Sequence, residues 1–181
     1  MAELAAELGA PGLRVFGDTI QPGASRDSTR SWVTESIQKL SVISEPTGVE
    51  VWLETHGDFA SANETATILA QFASLRVGAV WDPANAFILN SEQPSEGAVI
   101  LVDVIRHVHI KDLRRNGADW QHVLTGDGEF PLLDLLTVLE QLQYDRFLSF
   151  EWEKKWHPEI ADAEVALPHF ANWFRKVNAH A

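Results

Sequence analysis

The 181-residue sequence contains no cysteine and few basic residues. Without cysteine, the chain can form neither a disulfide nor a zinc site with thiolate ligands, and this composition fits a reducing compartment. Only 14 Lys and Arg stand against 26 Asp and Glu, which gives a formal net charge of −12. Nucleic-acid binding needs a positive surface, so we expect no nucleic-acid partner.

The sequence also lacks a long apolar run. No stretch approaches the roughly 20 apolar residues that span a bilayer. The start, "MAELAAELGAPG", has neither the basic residues nor the apolar segment of a signal peptide. We therefore expect a cytoplasmic protein without membrane contact. A hydrophobic content of 45% over this length is enough for one domain with a substantial core, residues 1–181.

Short β-like runs alternate with amphipathic helical runs along the chain. The predicted strands are Leu13–Phe16, Glu50–Glu54, Val77–Asp82, His107–Lys111 and Phe147–Glu151. The predicted helical stretches are 30–43, 61–72, 94–108, 130–143 and about 157–177, the last disturbed at Pro168. This alternation indicates an α/β protein with a parallel sheet.

The polar faces of these strands favour a barrel over an open, doubly wound sheet. In "HVHIKD", residues 107–112, alternation places His107, His109 and Lys111 on one face. Strands of an open sheet that is covered on both sides read as apolar throughout. A barrel has helices only outside, and its inner face can carry a site at the C-terminal mouth.

The segment "GDGEF", residues 126–130, is predicted to form a turn rather than a phosphate-binding loop.

Four acidic or histidine side chains lie at the ends of successive strands on these polar faces. Because strand ends converge at a barrel mouth, three carboxylates and one imidazole would form a site for one divalent cation. The ions suited to these ligands are Mn²⁺, Mg²⁺, Co²⁺ and Zn²⁺. A cation would also offset the cost of burying the charges. The predicted ligands are Glu54, Asp82, His109 and Glu151.

Each predicted ligand has an alternative role when it is taken alone. Asp82 precedes Pro83, a pair that often begins a turn. His109 has the alternative of a hydrogen-bonded core histidine, and core packing is the better interpretation for His107. Glu153 lies on the same face as Glu151 and competes with it as a ligand. The joint pattern is what favours the metal site.

Three nearby polar residues are candidates for substrate binding. His56 follows Glu54 by two residues and would line the mouth, with a plain loop position as the alternative. Asn85 would donate a hydrogen bond to substrate or cap a turn. Lys111 would attract an anionic group or neutralise the carboxylates.

Several motifs resemble a known family. "VWLETHGDF", "WDPAN", "HVHIKD", "GDGEFPL" and "FLSFEWEKKWHPEI" resemble, in order, strand-end motifs of the sugar phosphate isomerase/epimerase family. This family belongs to the xylose isomerase-like TIM barrel superfamily, which includes ketose 3-epimerases, inosose dehydratases and endonuclease IV. The resemblance implies the same metal ligands, Glu54, Asp82, His109 and Glu151. It also implies that Glu54 and Glu151 transfer protons and that Arg115 points toward substrate.

The implied reaction is proton abstraction next to a carbonyl of a small sugar, sugar phosphate or cyclitol. The metal would act as a Lewis acid, and the two glutamates would remove and return the proton. A dehydratase of the inosose or dehydroshikimate type would use the same site to expel a hydroxyl group. An endonuclease is disfavoured by the net charge of −12.

The five predicted strands resemble strands four to eight of a TIM barrel, which typically takes about 250 residues. The expected fold is therefore a partial (β/α)8 barrel that is incomplete at its N-terminal side. A homodimer, or a partner that supplies the missing strands, would cover the open strand edges. A catalytically incomplete half-barrel that serves as a metal-binding or assembly module is the alternative of a different class.

Overall fold

A parallel sheet of five strands lies at the centre of the computed structural model, which describes residues 1–72 and 76–179. The strands of the described chain are β1 Gly12–Phe16, β2 Glu50–Glu54, β3 Val77–Trp81, β4 Ile105–Ile110, β5 Asp112–Asn116, β6 Asp119–Val123 and β7 Leu148–Phe150. The sheet order is β1-β2-β3-β4-β7, and all neighbours are parallel. The predicted α/β fold with five parallel strands is confirmed.

Seven α-helices connect or follow these strands within the described residues. They are α1 Ala2–Glu7, α2 Arg26–Ser44, α3 Ala62–Leu69, α4 Pro83–Asn90, α5 Pro94–Leu101, α6 Leu132–Gln141 and α7 Ala163–Asn178. None of the helices in the described ranges has the length and apolarity needed to cross a membrane.

The apolar face of the sheet packs against the helices. Leu53 and Ile37 lie in one cluster with α3, and both are almost fully buried. Trp81 lies in a second cluster with residues of α5 and α6 and is fully buried. The opposite face of the strands is left for polar side chains.

A bulge in β4 sets the orientation of the histidine strand. Ala79 pairs with Ile105, but Val80 pairs with His107, so Arg106 is an extra residue in β4. Its Nε lies 3.1 Å from Glu50 Oε2. Bulges commonly redirect side chains next to functional sites. After the extra residue, the side chains of β4 from His107 onward again alternate between the two faces of the sheet.

The largest differences from the sequence prediction are two helix boundaries and one additional helix. The helix predicted over 94–108 ends at Leu101, because the strand β4 begins at Ile105. Helix α4 was not predicted, although Asp82 and Pro83 are favourable residues for a helix start. The last helix begins at Ala163 rather than near 157, and it continues through Pro168.

The late start of α7 has a local cause. The preceding loop is fixed by hydrogen bonds that a helix would not make. Lys154 Nζ donates to the carbonyls of Pro158 and Ile160 at 2.8 and 2.6 Å. Trp152 Nε1 donates to the carbonyl of Ala161 at 2.9 Å. Side-chain hydrogen bonds within the loop thus hold residues 152–162 out of the helix.

A β-hairpin was also missed by the sequence prediction. Strands β5 and β6 pair antiparallel, with Asn116 opposite Asp119. Gly117 has a φ of 65°, a conformation that glycine adopts without strain. The two-residue loop is Gly117–Ala118, and a glycine at the first loop position is a hairpin signal, so this element was available in the sequence.

Asp112 holds the 126–130 segment against the start of this hairpin. Its Oδ2 accepts hydrogen bonds from the N–H groups of Gly126 and Gly128, at 2.8 and 2.9 Å. Its Oδ1 accepts from the N–H of Leu113 at 2.9 Å. The carboxylate therefore satisfies three backbone donors in a buried position. The 126–130 segment is thus a turn, and Asp112, the final residue of "HVHIKD", anchors it.

We expect Asp112→Asn to lower the free energy of unfolding by about 1–3 kcal/mol, because an amide group would face at least one backbone donor that then lacks an acceptor. Urea unfolding measures the change. Asp127→Asn is the matched control, since Asp127 is exposed in the same turn. Equal stability of the two variants would contradict the anchoring role of Asp112.

Candidate metal centre

Parallel pairing brings the four predicted ligands together at the C-terminal edge of the sheet. Glu54 is the last residue of β2, and Asp82 directly follows β3. His109 lies near the end of β4, where it pairs with Ser149 of β7, and Glu151 follows β7. Each of the four offers one ligand atom, and these atoms all lie within 4.8 Å of one another.

His109 lies at the centre of this group. Its Nδ1 is 3.1 Å from Glu54 Oε1, 3.5 Å from Glu151 Oε1 and 3.9 Å from Asp82 Oδ2. Glu54 and Asp82 are essentially fully buried, and His109 is 9% exposed. Glu151 is more accessible, with a side chain that is 23% exposed. The open side of the group therefore lies at Glu151.

The polar atoms at the centre of the group fit a bound cation. Glu54 Oε1 lies 3.1 Å from His109 Nδ1, and Asp82 Oδ2 lies 2.8 Å from Lys111 Nζ, but none of these three buried atoms makes a hydrogen bond of good geometry among the described residues. Buried polar atoms usually make well-formed hydrogen bonds, and a cation between these three would interact with all of them. Carboxylate oxygens and an imidazole nitrogen are suitable ligands for Mn²⁺, Mg²⁺, Co²⁺ or Zn²⁺.

Lys111 supplies a buried positive charge beside the group. Its Nζ lies 2.8 Å from Asp82 Oδ2, 2.8 Å from Glu151 Oε2 and 3.0 Å from Glu153 Oε1. Burial alone would lower the pKa of Lys111, but these three carboxylates outweigh it and raise the pKa above its usual value. The geometry thus favours the interpretation in which Lys111 neutralises carboxylates.

Arg14 of β1 is a second cation at the group, and the sequence prediction missed it. Its Nη1 lies 3.0 Å from Glu54 Oε2 and 3.7 Å from Glu151 Oε1. Arg14 pairs with Trp52 in the register of β1 and β2, which places it on the same face as Glu54. The alternation in "GLRVF" carried this signal, because Arg14 is the polar residue of that strand.

The surrounding charges alter the protonation of the group in opposite directions. Burial alone would lower the pKa of His109, but the carboxylates of Glu151, Glu54 and Asp82 raise it to about 9. Burial alone would raise the pKa of Glu151, but His109 and Lys111 lower it below its usual value. Burial raises the pKa of Asp82, an effect that Lys111 partly offsets.

The two oxygens of Asp82 have different surroundings. Oδ1 caps α4 by accepting a hydrogen bond from the N–H of Asn85 at 3.1 Å, while Oδ2 faces Lys111 and His109. The Asn85 side chain donates to the carbonyl of Thr55 at 3.0 Å. The described contacts of Asn85 therefore favour its role in the turn over a contact with substrate.

His56, Arg115 and His107 lie outside the four-residue group. His56 has a side chain that is 43% exposed, and its ring lies 5.1 Å from that of Phe16. Arg115 lies in the hairpin, with its guanidinium 4.6 Å from the Trp120 ring. His107 Nε2 lies 2.7 Å from Ser149 Oγ, and burial lowers its pKa. Of the two histidines in "HVHIKD", only His109 faces the carboxylates.

A second group of potential ligands adjoins the first. It comprises His122, Glu153 and His157, whose ligand atoms also lie within 4.8 Å of one another. Glu153 is thus separated from Glu151: it contacts Lys111 on one side and the two histidines on the other. The sequence prediction missed His122 and His157. They lie far apart in the chain, and their spacing matches no metal-binding motif.

Solved structures share this fold. The chain aligns with a Xylose isomerase domain protein from Planctomyces limnophilus (22% identity, TM-score 0.74, 98% of this chain and 60% of that one). It aligns with a D-tagatose 3-epimerase-like protein at 21% identity and a TM-score of 0.79, over 98% of this chain and 66% of that one. It also aligns with the 3-keto-D-glucoside 4-epimerase from E. coli at 19% identity and a TM-score of 0.74, over 97% of this chain and 67% of that one. At these identities the likeness shows the fold alone.

The family model described as "Xylose isomerase-like TIM barrel" matches residues 1–177. None of the curated proteins matches the sequence. The chain spans about two thirds or less of the structures with which it aligns, at 60%, 66% and 67%. Together with the five parallel strands, these matches confirm the predicted partial TIM barrel.

Proposed function

Because the chain belongs to the xylose isomerase-like TIM barrel family, we propose that it functions as a sugar isomerase or epimerase that uses one divalent cation. The residues that would hold the cation are Glu54, Asp82, His109 and Glu151. One observation carries the proposal: three carboxylates and one imidazole converge, with ligand atoms within 4.8 Å of one another, and three of the four residues are buried.

The two glutamates would transfer protons in the proposed reaction. Glu151 is the more accessible of the pair, with a side chain that is 23% exposed against 1% for Glu54, so it is the residue that would remove a proton from carbon. Glu54, in its protonated form, would deliver a proton of its own, to the opposite face in an epimerase or to the neighbouring carbon in an isomerase.

The ion, when bound, supplies Lewis-acid stabilisation of the negative charge that develops on a substrate carbonyl oxygen. The residues of the chain hold the remaining charges in place. Arg14 fixes Glu54 through its 3.0 Å contact, and Lys111 orients Asp82 and Glu151 through contacts of 2.8 Å. Fixed, buried charges of this kind need little reorganisation during the reaction.

The substrate class follows from the open side of the group. The accessible charges there are Glu151 and Arg14, which suit the carbonyl and hydroxyl groups of a small ketose or keto sugar. The D-tagatose 3-epimerase-like and 3-keto-D-glucoside 4-epimerase structures support this class by analogy of fold. His56 and Arg115 remain candidates for contacts with more distant groups of the substrate.

The sheet edges bear on the active form. In the described part of the chain, β1 pairs only with β2, and β7 pairs only with β4. Both edges therefore carry unpaired backbone groups, which a second copy or a partner with further strands would cover. The active form that we propose is such a completed barrel.

The reaction is tested by proton exchange with solvent. The protein with Mn²⁺ is incubated in D₂O with ketohexoses and keto sugars, and deuterium next to the carbonyl is measured by NMR. We expect incorporation with the natural chain and a loss of more than about 100-fold in Glu151→Gln and Glu54→Gln, since acid–base groups contribute about 10²–10⁴-fold. Glu140→Gln, on an exposed face of α6, is the matched control.

The products separate the competing reactions. A new sugar epimer or isomer supports the proposal, whereas an unsaturated product that has lost water would identify a dehydratase. Bound Mn²⁺ without deuterium incorporation into any sugar, in a sample whose oligomeric state is known from light scattering, would instead support a metal-binding module.

A further inference from the structure

The group formed by His122, Glu153 and His157 lies outside the proposed reaction centre. His122 is in β6, and the other two residues lie in the loop between β7 and α7. His122 Nε2 lies 3.5 Å from Glu153 Oε1, and His157 Nε2 lies 3.8 Å from Glu153 Oε2. The two imidazole rings have centroids 4.7 Å apart. Two nitrogen ligands and one carboxylate thus face the same space.

We propose that these three residues form a second divalent cation site, selective for a metal that prefers nitrogen ligands, such as Zn²⁺ or Co²⁺. Two imidazoles with one carboxylate form a ligand set found in zinc sites that leave a fourth position for water or substrate. This proposal does not depend on the reaction proposed for the first site.

Poor pairing of the facing side chains supports the presence of a ligand here. His122 is 7% exposed, and the nitrogen that faces Glu153 is its Nε2. The distances from His122 Nε2 and His157 Nε2 to the Glu153 carboxylate, 3.5 and 3.8 Å, are too long for strong hydrogen bonds. These two nitrogens are poorly satisfied by the carboxylate alone, and a cation between the three side chains would use their lone pairs.

The loop positions Glu153 and His157 in advance. The carbonyl of Glu153 accepts hydrogen bonds from the N–H groups of Trp156 and His157, at 2.9 and 3.0 Å, which forms a single tight turn. Glu159 Oε1 lies 3.5 Å from His157 Nδ1, and a carboxylate behind a metal-bound imidazole commonly orients it. Little chain entropy would therefore be lost when the cation binds.

Lys111 separates the two cation sites. Its Nζ is 2.8 Å from Glu151 Oε2 and 3.0 Å from Glu153 Oε1, so it neutralises one carboxylate of each group. The first group offers three carboxylates and one nitrogen, whereas the second offers one carboxylate and two nitrogens. Mn²⁺ favours oxygen ligands and Co²⁺ or Zn²⁺ accept imidazole well, so the two sites should differ in metal preference.

The test is the number of ions bound per chain. In calorimetric and equilibrium-dialysis titrations of the full chain, we expect two equivalents of Co²⁺ or Zn²⁺ and one tight equivalent of Mn²⁺. His157→Gln and His122→Gln should each lose one equivalent of Co²⁺ and keep Mn²⁺ binding. His109→Ala should show the reverse loss. The visible spectrum of Co²⁺ reports independently whether the second ion has a four-coordinate environment.

The variants and controls make the outcome decisive. His157 is 38% exposed on its side chain, so His157→Gln is expected to fold, which circular dichroism without metal verifies. His169→Gln is the matched histidine control, because His169 Nε2 contacts the carbonyl of Thr125 instead of the group. Two equivalents retained in His157→Gln and His122→Gln would overturn the second site, and so would a single equivalent of Co²⁺ or Zn²⁺ that survives these two changes and is lost in His109→Ala. A single equivalent lost in His157→Gln and kept in His109→Ala would support the second site and count against the first.

Discussion

Replacing His109 by alanine, or Glu151 by glutamine, is expected to weaken Mn²⁺ binding by more than about 100-fold. Each change removes one direct ligand from a four-residue group whose ligand atoms lie within 4.8 Å. Loss of a residue that only supports a ligand typically costs about 10–100-fold in affinity, so loss of a ligand should cost more. Isothermal titration calorimetry with Mn²⁺ measures the affinity and the stoichiometry.

Glu153→Gln is the informative comparison for Glu151→Gln. The two glutamates are two residues apart and share Lys111, but only Glu151 approaches His109, at 3.5 Å. Glu153→Gln should therefore retain Mn²⁺ binding at one equivalent per chain. If Glu153→Gln lost the Mn²⁺ site and Glu151→Gln kept it, the assignment of ligands would have to be exchanged. If the natural chain folded without binding Mn²⁺, the site would need strands beyond this chain.

The second large effect is expected at Lys111. In metal-free protein, Lys111→Met should lower the free energy of unfolding by about 3–5 kcal/mol, the usual cost of removing one partner from a buried ion pair. Lys111 is 3% exposed, and Asp82, which it contacts at 2.8 Å, is fully buried. Without the ammonium group, Asp82 and Glu151 would keep negative charge that, among the described residues, is opposed by Arg14 and His109.

Added Mn²⁺ should restore part of the stability of Lys111→Met. A ligand that binds only the folded state stabilises it by about 2.7 kcal/mol at 100 times its Kd. Thermal and urea unfolding, each with and without Mn²⁺, measure both quantities. Lys39→Met is the matched control, because Lys39 is 75% exposed on its side chain and should change stability by less than about 0.5 kcal/mol. Equal losses in the two variants would show that the buried contacts of Lys111 contribute nothing.

The alternation of polar and apolar residues was sufficient to predict the sheet and the group at its edge. In a parallel sheet the side chains at successive strand ends share an edge, so Glu54, Asp82 and His109 could be placed together without coordinates. The same rule applied to β1 would have included Arg14. The hairpin of β5 and β6 was also available, through the glycine that begins its Gly117–Ala118 loop. These features are local in sequence, and local patterns are what a sequence displays directly.

Other features depended on contacts between distant segments. The division of roles between Glu151 and Glu153 is decided by contacts with other strands, because Glu151 approaches His109 of β4 and Glu153 approaches His122 of β6. The approach of His122 to His157 joins the hairpin to the loop after β7, at a ring distance of 4.7 Å. Neither residue belongs to a spacing that predicts a metal site.

The sequence by itself thus determined the α/β class, the five strands and the identity of the charged groups at their ends, because these follow from periodicity and residue type. Only the tertiary structure decided which carboxylates contact Lys111, which of the two histidines in "HVHIKD" faces the carboxylates in space, and that a second group of ligands lies beside the first. The physical reason is that distances between side chains, and therefore their charges and pKa values, are set by packing between segments that are far apart in the chain.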